Sequence, residues 1–217
     1  MLFSLDCNPD EAHFPGMQNP FDPGYYCSEE LRTFGFARVG KNVRIARNCV
    51  IIGLGQIEVG DNVRIDEGCS IICTTGKLRM GSNIHIGGKC HFVVAADLTF
   101  DDLTGTSQGV YIYTSSDDYS GNAMAGPMVP ADLRAATTTP IRIAKHAMIG
   151  AQSVLLPGAD LPEGCAVGSL SLVNKPLTAW SVYHGNPVRR VGSRNTAILE
   201  LEELFLKRAI ATLAIAA

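Results

Sequence analysis

Aliphatic residues return every six positions along much of this chain. Val39, Ile45 and Ile51 open the series, followed by Val59, Ile65 and Ile71, then Met80, Ile86 and Phe92, then Phe100, Thr106 and Ile112. After an interruption the beat resumes, without a slipped residue, at Ile143, Ile149, Leu155, Leu161, Val167 and Val173. The second place of each hexad is often Gly or Ala (Gly40, Ala46, Gly60, Gly81, Gly87, Ala144, Gly150, Gly168). The fifth is small or branched (Val43, Cys49, Val63, Cys69, Cys90, Ala147, Ser153, Cys165). Ordinary strands alternate with period two, so a period of six asks for another architecture. It predicts an all-β solenoid of hexapeptide repeats, a parallel β-helix with three hexads per triangular coil. Successive coils stack at one strand spacing, ~4.8 Å. First-place aliphatics then point inward, each contributing roughly 1.5–3 kcal/mol when fully buried, and the small fifth place fits the corner.

The beat also divides the chain. Residues 1–24, with Pro9, Pro15, Pro20 and Pro23 and no hydrophobic period, read as an irregular N-terminal arm. Residues 25–38 contain Ser28, an acidic Glu29–Glu30 pair and Gly35, the signals of a short helical cap. Such a cap lids the first coil, because a bare solenoid end exposes its core. The β-helix proper spans 39–192, interrupted by a loop over 113–140 rich in Ser, Asp, Gly and Pro that protrudes from the coil. Insertions of that length in compact domains are usually functional or disordered. Residues 193–217 carry a helical stripe, Ile198, Leu201, Leu204 and Phe205, with Glu203 and Lys207 four apart. A C-terminal α-helix is expected there, sealing the core or meeting another subunit.

Composition narrows the class. With 217 residues, 46% hydrophobic content and a formal charge of −3, the chain reads as one soluble domain with no bias toward nucleic acid. No run approaches 18 apolar residues, and the first residues lack the basic start and apolar core of a signal peptide. A cytoplasmic protein is expected. Of seven cysteines, Cys49, Cys69, Cys90 and Cys165 occupy the fifth place as small packing residues. Cys7, Cys27 and Cys73 show no metal-ligand spacing, and no metal site is expected.

The second and sixth places face outward, which projects His85, His91, Asp101 and Ser107 from the coil surface. His85 stacks above Arg64, and Ser107 above Gly87 and Asp66. The spacing therefore suggests that Arg64, Asp66, His85, Asp102 and Ser107 gather in one polar cleft. His85 reads as a general base, a binding group or plain solvent-facing decoration, and Asp102 as a substrate-holding carboxylate or a turn aspartate. His146, at a fourth place, reads as structural.

The hexads, the loop YTSSDDYSGNAMAGPMVP and the closing run VGSLSLVNK…YHGNPVRR resemble the left-handed β-helix acyltransferases. Within them, SEELRTFGFARVGKNVRI, VGDNVRID, SSDDYSGN and GNPVRR are most similar to the N-acyltransferases of nucleotide-linked amino sugars, the dTDP-4-amino-4,6-dideoxyglucose type of anthrose biosynthesis above all. The resemblance spans roughly 28–208. It implies left-handed coiling, although parallel crossovers are otherwise right-handed. It also implies a homotrimer with active sites between subunits, acyl-CoA as co-substrate, a nucleotide-sugar acceptor and a place in surface glycan biosynthesis.

On this resemblance Asp102, rather than Asp101, is the carboxylate that holds the sugar amine, with His85 beside it as the second catalytic candidate. Arg64, Asp66, Ser107, Asp117, Asp118 and Tyr119 are candidates to bind the acceptor, the last three by ordering the loop. Lys175, Arg189 and Arg190, with Arg194 nearby, are candidates for the phosphates of CoA. Gly150 and Gly168 leave backbone open for its pantetheine, or simply serve corner geometry. Many acetyltransferases of this superfamily carry a histidine where this loop reads Ser115, Ser116, Asp117 and Asp118. Its absence points to an amine acceptor that attacks already neutral, while a backbone N–H steadies the oxyanion. A sugar or xenobiotic O-acetyltransferase is the alternative, and a non-catalytic scaffold the third reading.

Overall fold

The structure, a computed structural model, describes residues 19–216. Most of the expected N-terminal arm, residues 1–18, lies outside the described residues. From Arg38 onward the chain winds as a parallel β-helix with three faces: a nine-stranded, a six-stranded and a five-stranded sheet.

The six-residue beat accounts for the interior. On the nine-stranded face Ile45, Ile65, Ile86, Thr106, Ile149, Val167 and Tyr183 lie in register, one per coil. On the six-stranded face the column is Ile51, Ile71, Phe92, Ile112, Leu155 and Val173. Val39, Val59, Met80, Phe100 and Ile143 form the third. Nearly all are fully buried, and the three columns meet in one continuous core. The fifth-place residues Val43, Val63, Cys69, Cys90 and Cys165 are buried with them, whereas Cys49 is only partly covered.

Three segments differ in detail from the periodicity. The helical cap is a single turn, α1 (Ser28–Leu31), and Cys27 rather than Ser28 stands at its N-cap. Ser28 is instead buried, its hydroxyl accepting the Val43 N–H at 2.8 Å. Ahead of it Tyr25–Cys27 forms an edge strand, antiparallel to Arg44–Ala46. The protruding loop is partly ordered by a polar hairpin pairing Ser115–Asp117 with Ala136–Thr138. At the far end Arg189–Ser193 turns back antiparallel on Ser181–His184 before the C-terminal helix α2 (Ile198–Ala216).

Helix α2 is fastened by one carboxylate. Glu202 receives Lys145 and the buried His146, whose Nε2 lies 2.8 Å from Glu202 Oε2. Arg194 Nη1 donates to the His146 carbonyl at 2.6 Å, which fixes the chain just before the helix. His146 is thus structural, as its fourth place suggests. The expected Glu203–Lys207 pair is present at 3.7 Å.

Candidate active site

Two corners flank the nine-stranded face, and in the lower coils they treat the same backbone group in opposite ways. The corner entered from the five-stranded face has Lys41, Asp61, Ser82 and Asp102 at its third places. Asp61 Oδ1 accepts the Lys41 N–H at 2.8 Å, Ser82 Oγ the Asp61 N–H at 3.0 Å, and Asp102 Oδ1 the Ser82 N–H at 2.7 Å. Each coil caps the one beneath it. Beside this ladder Asn42, Asn62 and Asn83 take positive φ, which asparagine tolerates, and pass amide hydrogen bonds upward at 3.0 and 3.2 Å. Asp102 is therefore a rung of a corner ladder, hydrogen-bonded to a neighbouring coil. The structure does not bring it to the other cleft residues.

Those residues gather at the opposite corner, which leads to the six-stranded face. Asp66, Gly87, Ser107, Gly150 and Gly168 occupy its second places in successive coils. The glycines there are steric necessities. A Cβ on Gly87 would lie 2.7 Å from the Ser107 carbonyl carbon, one on Gly150 2.4 Å from the Ser169 nitrogen, and one on Gly168 2.6 Å from the His184 ring. At this corner the third-place N–H groups of Glu67, Gly88, Gln108, Ala151 and Ser169 have no acceptor among the described residues. A backbone N–H demands a partner, so this row is served by water or by a ligand.

Asp66 anchors the lower end of the row. Its carboxylate, almost buried, accepts Arg64 Nε at 2.6 Å and the Tyr25 hydroxyl at 3.0 Å on one oxygen. His85 Nε2 lies 2.7 Å from the other. Burial pushes this carboxyl up, but the Arg64 and His85 donors outweigh burial and hold it below the usual range. The Tyr25 phenol is raised, by burial first and the Asp66 charge second. Arg64 and His85 stay half-exposed along a groove of about 580 Å³ between the nine-stranded face and α2, where Leu103, Leu201 and Phe205 supply apolar walls. Tyr25, on a three-residue edge strand outside the hexads, carries no periodic signal that would have found it.

Ser107 lies two coils above Asp66, ~10 Å at one strand spacing per coil. Its N–H is used in the coil ladder, donating to the Ile149 carbonyl at 2.8 Å, and its hydroxyl donates to Gln108 Oε1 at 2.8 Å. The strand that follows carries Tyr111 and Tyr113 outward beside His91, three rings 5.8–6.4 Å apart. Beyond it the loop encloses a second hollow of about 490 Å³ lined by Asp117, Asp118, Tyr119 and Ser120. Asp118 organises the loop, accepting the Ser120, Asn122 and Ala123 N–H groups at 2.9–3.1 Å. The Ser120 N–H above all lowers its pKa below the ordinary carboxylate value. Asp117 Oδ2 accepts only the Gly126 N–H, at 3.2 Å.

Among the cations, Arg190 is engaged by Ser181 and Ser193 at 3.0 and 2.7 Å and Arg194 by backbone carbonyls. Lys175 and Arg189 are exposed and have no ion-pair partner among the described residues.

No family model matches the chain. It is 35% identical over 181 residues to dTDP-4-amino-4,6-dideoxy-D-glucose acyltransferase of Escherichia coli, covering 83% of this chain and 94% of that protein. Among solved structures it superposes on AntD, an N-acyltransferase from Bacillus cereus in complex with dTDP and 3-hydroxybutyryl-CoA. The TM-score is 0.82 at 37% identity, over 86% of this chain and 98% of that one. A further structure of AntD, carrying a serine substitution, holds dTDP-4-amino-4,6-dideoxyglucose and coenzyme A and superposes with a TM-score of 0.81. A maltose O-acetyltransferase from Clostridium difficile shares the fold at 21% identity. With its stacked hexads, its open corner and this extent of likeness, the chain belongs to the β-helix acyltransferase family of dTDP-4-amino-4,6-dideoxy-D-glucose acyltransferase.

Proposed function

We propose that this enzyme transfers an acyl group from coenzyme A to the amino group of a nucleotide-linked amino-dideoxy sugar, with dTDP-4-amino-4,6-dideoxyglucose as the acceptor its relatives point to. One observation carries the reading to particular residues. Substitutions in the solved relatives fall on a serine and an aspartate ten positions apart. The serine comes first there, and Ser107 with Asp117 is the only serine in this chain followed ten residues later by an aspartate.

The neutral amine attacks the thioester carbonyl. A C–N bond forms, the C–S bond breaks, and the amine proton passes to the departing sulfur directly or through water. Asp117 accepts a hydrogen bond from the amine and orients its lone pair. Ser107's own N–H is committed to Ile149, so the unpaired N–H of Gln108 is the donor for the oxyanion. An amine needs a side-chain base less than a hydroxyl does, and His85, bonded to Asp66, then serves in binding. Arg64, Asp66 and His85 hold the acceptor at the lower end of the open corner. Asp118 and Tyr119 shape the loop over it. Above Ser107 the Ala151 and Ser169 N–H groups meet the pantetheine at the Gly150 and Gly168 corners, and Lys175 and Arg189 meet the CoA phosphates. Asp102 and Arg190, both engaged within the fold, are left to structure.

A homotrimer is part of the proposal. The outward side of the six-stranded face is apolar, with Val50, Ile52 and Tyr111 exposed, whereas the five-stranded face carries the pairs Arg79–Asp97 and Arg142–Asp101. Both substrates are cytoplasmic metabolites, which suits an enzyme of the cytoplasm acting in surface glycan synthesis. The described helices contain none long and apolar enough to cross a membrane.

The test is thiol release from acetyl-CoA and longer acyl-CoAs against dTDP- and UDP-linked amino and neutral sugars, with light scattering reporting three times the chain mass. Turnover is expected only with a 4-amino acceptor, and Asp117→Ala is expected to lower kcat/KM by ~10² or more. Turnover with neutral sugars alone would replace the reading by O-acetylation.

A further inference from the structure

The peptide groups of the open corner have two ends, and the inner ends are held by a column of thiols. Cys49 Sγ donates to the Asp66 carbonyl at 3.2 Å, Cys69 Sγ to the Gly87 carbonyl at 3.2 Å, and Cys90 Sγ to the Ser107 carbonyl at 3.3 Å. In the second block Ser153 Oγ does the same for the Gly168 carbonyl at 3.0 Å. Each carbonyl belongs to the same planar peptide as one of the unpaired N–H groups: Glu67, Gly88, Gln108 and Ser169. A donor on the inner oxygen therefore fixes the direction of the outer N–H, because the two ends of a peptide plane turn together. Cys90 is further steadied by Thr106 Oγ1 at 3.4 Å, the one polar residue in an otherwise apolar inward column.

We infer that Cys90 is a positioning residue for the acyl transfer, its thiol holding the Ser107–Gln108 peptide so that the Gln108 N–H points at the oxyanion. This rests on the proposed reading of that N–H. The fifth place requires only something small and apolar for packing, as Val43, Val63 and Val110 demonstrate in the same chain. A cysteine in that place adds one hydrogen bond to an otherwise sufficient packing residue. Where the chain has Val110 instead, no side chain supports the Gly150 carbonyl among the described residues, and that peptide serves binding above the reaction centre.

The experiment compares Cys90→Val, Cys90→Ser and Cys69→Val in the full-length enzyme, with thermal unfolding of each. Cys90→Val is expected to lower kcat about tenfold to a hundredfold while KM for acyl-CoA stays within about twofold, since misplacing a reacting contact acts on the transition state. Cys90→Ser restores the donor and is expected to recover most of the rate. Cys69→Val, whose peptide lies one coil below, is expected to leave kcat near wild type. Should Cys90→Val fold poorly, Cys90→Ala compared with Cys90→Ser gives the same contrast. Wild-type kcat in Cys90→Val overturns the inference and leaves the function standing. Equal losses in Cys69→Val and Cys90→Val, tracking a common fall in unfolding temperature, overturn it as well. A wild-type enzyme inert toward every acyl-CoA and amino-sugar nucleotide overturns both.

Discussion

The two corners of the nine-stranded face are built from the same hexad and differ in the capping of their lower coils. One shuts the third-place N–H groups of Lys41, Asp61 and Ser82 with the side chains of Asp61, Ser82 and Asp102 and, above them, leaves those of Asp102, Lys145 and Glu163 without an acceptor among the described residues; the other leaves Glu67, Gly88, Gln108, Ala151 and Ser169 open along its whole length. The interior columns on either side are equally well packed. Stability is thus secured by the inward places, while the proposed reactivity depends on which outward hydrogen bonds the fold leaves incomplete.

That contrast can be broken most severely by shutting the open corner. Ala151 holds the third place one coil above Gln108, the position from which Asp102 caps Ser82. Ala151→Asp is expected to place a carboxylate on the Gln108 N–H, lowering kcat by ~10²-fold or more. Its unfolding temperature is expected to stay at or above wild type, as calorimetry would report; a fully active variant would remove Gln108 from the mechanism. Opening the shut corner is the converse. Asp102→Ala is expected to cost about 1 kcal/mol in urea unfolding, the loss of one capping bond, with kcat within about twofold of wild type. A collapse of kcat without loss of stability would return Asp102 to catalysis.

The smallest effect concerns Asp66. Its carboxyl lies below its unfolded value, so the stability it contributes is present above pH ~4 and is lost as pH falls through the folded value. Asp66→Asn is expected to flatten the acid limb of the stability curve below about pH 4 and to change little near neutrality. Unfolding midpoints measured from pH 3 to 7 decide this. An acid limb unchanged from wild type would mean that Arg64, His85 and Tyr25 do not favour the charged form.

The division of labour explains what could be read from the chain. Inward residues repeat every six positions because each coil must cover the last, so the columns through Ile65, Phe92 and Phe100 were legible in full. The loop and the C-terminal stripe were legible as breaks in that beat. Corner chemistry was not, because the partner of each capped third-place N–H lies 20 or 21 residues away and is an Asp or Ser like any other surface residue. Asp102 and Asp117 both look like loop carboxylates; the hydrogen bond to Ser82 in a neighbouring coil marks one as a rung, while the other accepts only from Gly126 within its own loop. The edge strand at Tyr25 and the Ser115–Asp117 hairpin are too short and too polar to carry a period.

The protruding loop leaves and re-enters the coil at nearly one point, the Thr139 N–H donating to the Thr114 carbonyl at 2.9 Å. Leu98 pairs with Ile141 as though the chain had never been interrupted. Ends so close make the intervening stretch nearly independent of the winding, because loop-closure cost grows only slowly with length. The segment is therefore an exchangeable cassette: under the proposed function, acceptor choice can diversify by replacing it while the folding of the solenoid, and the corner proposed to hold the thioester, are inherited intact.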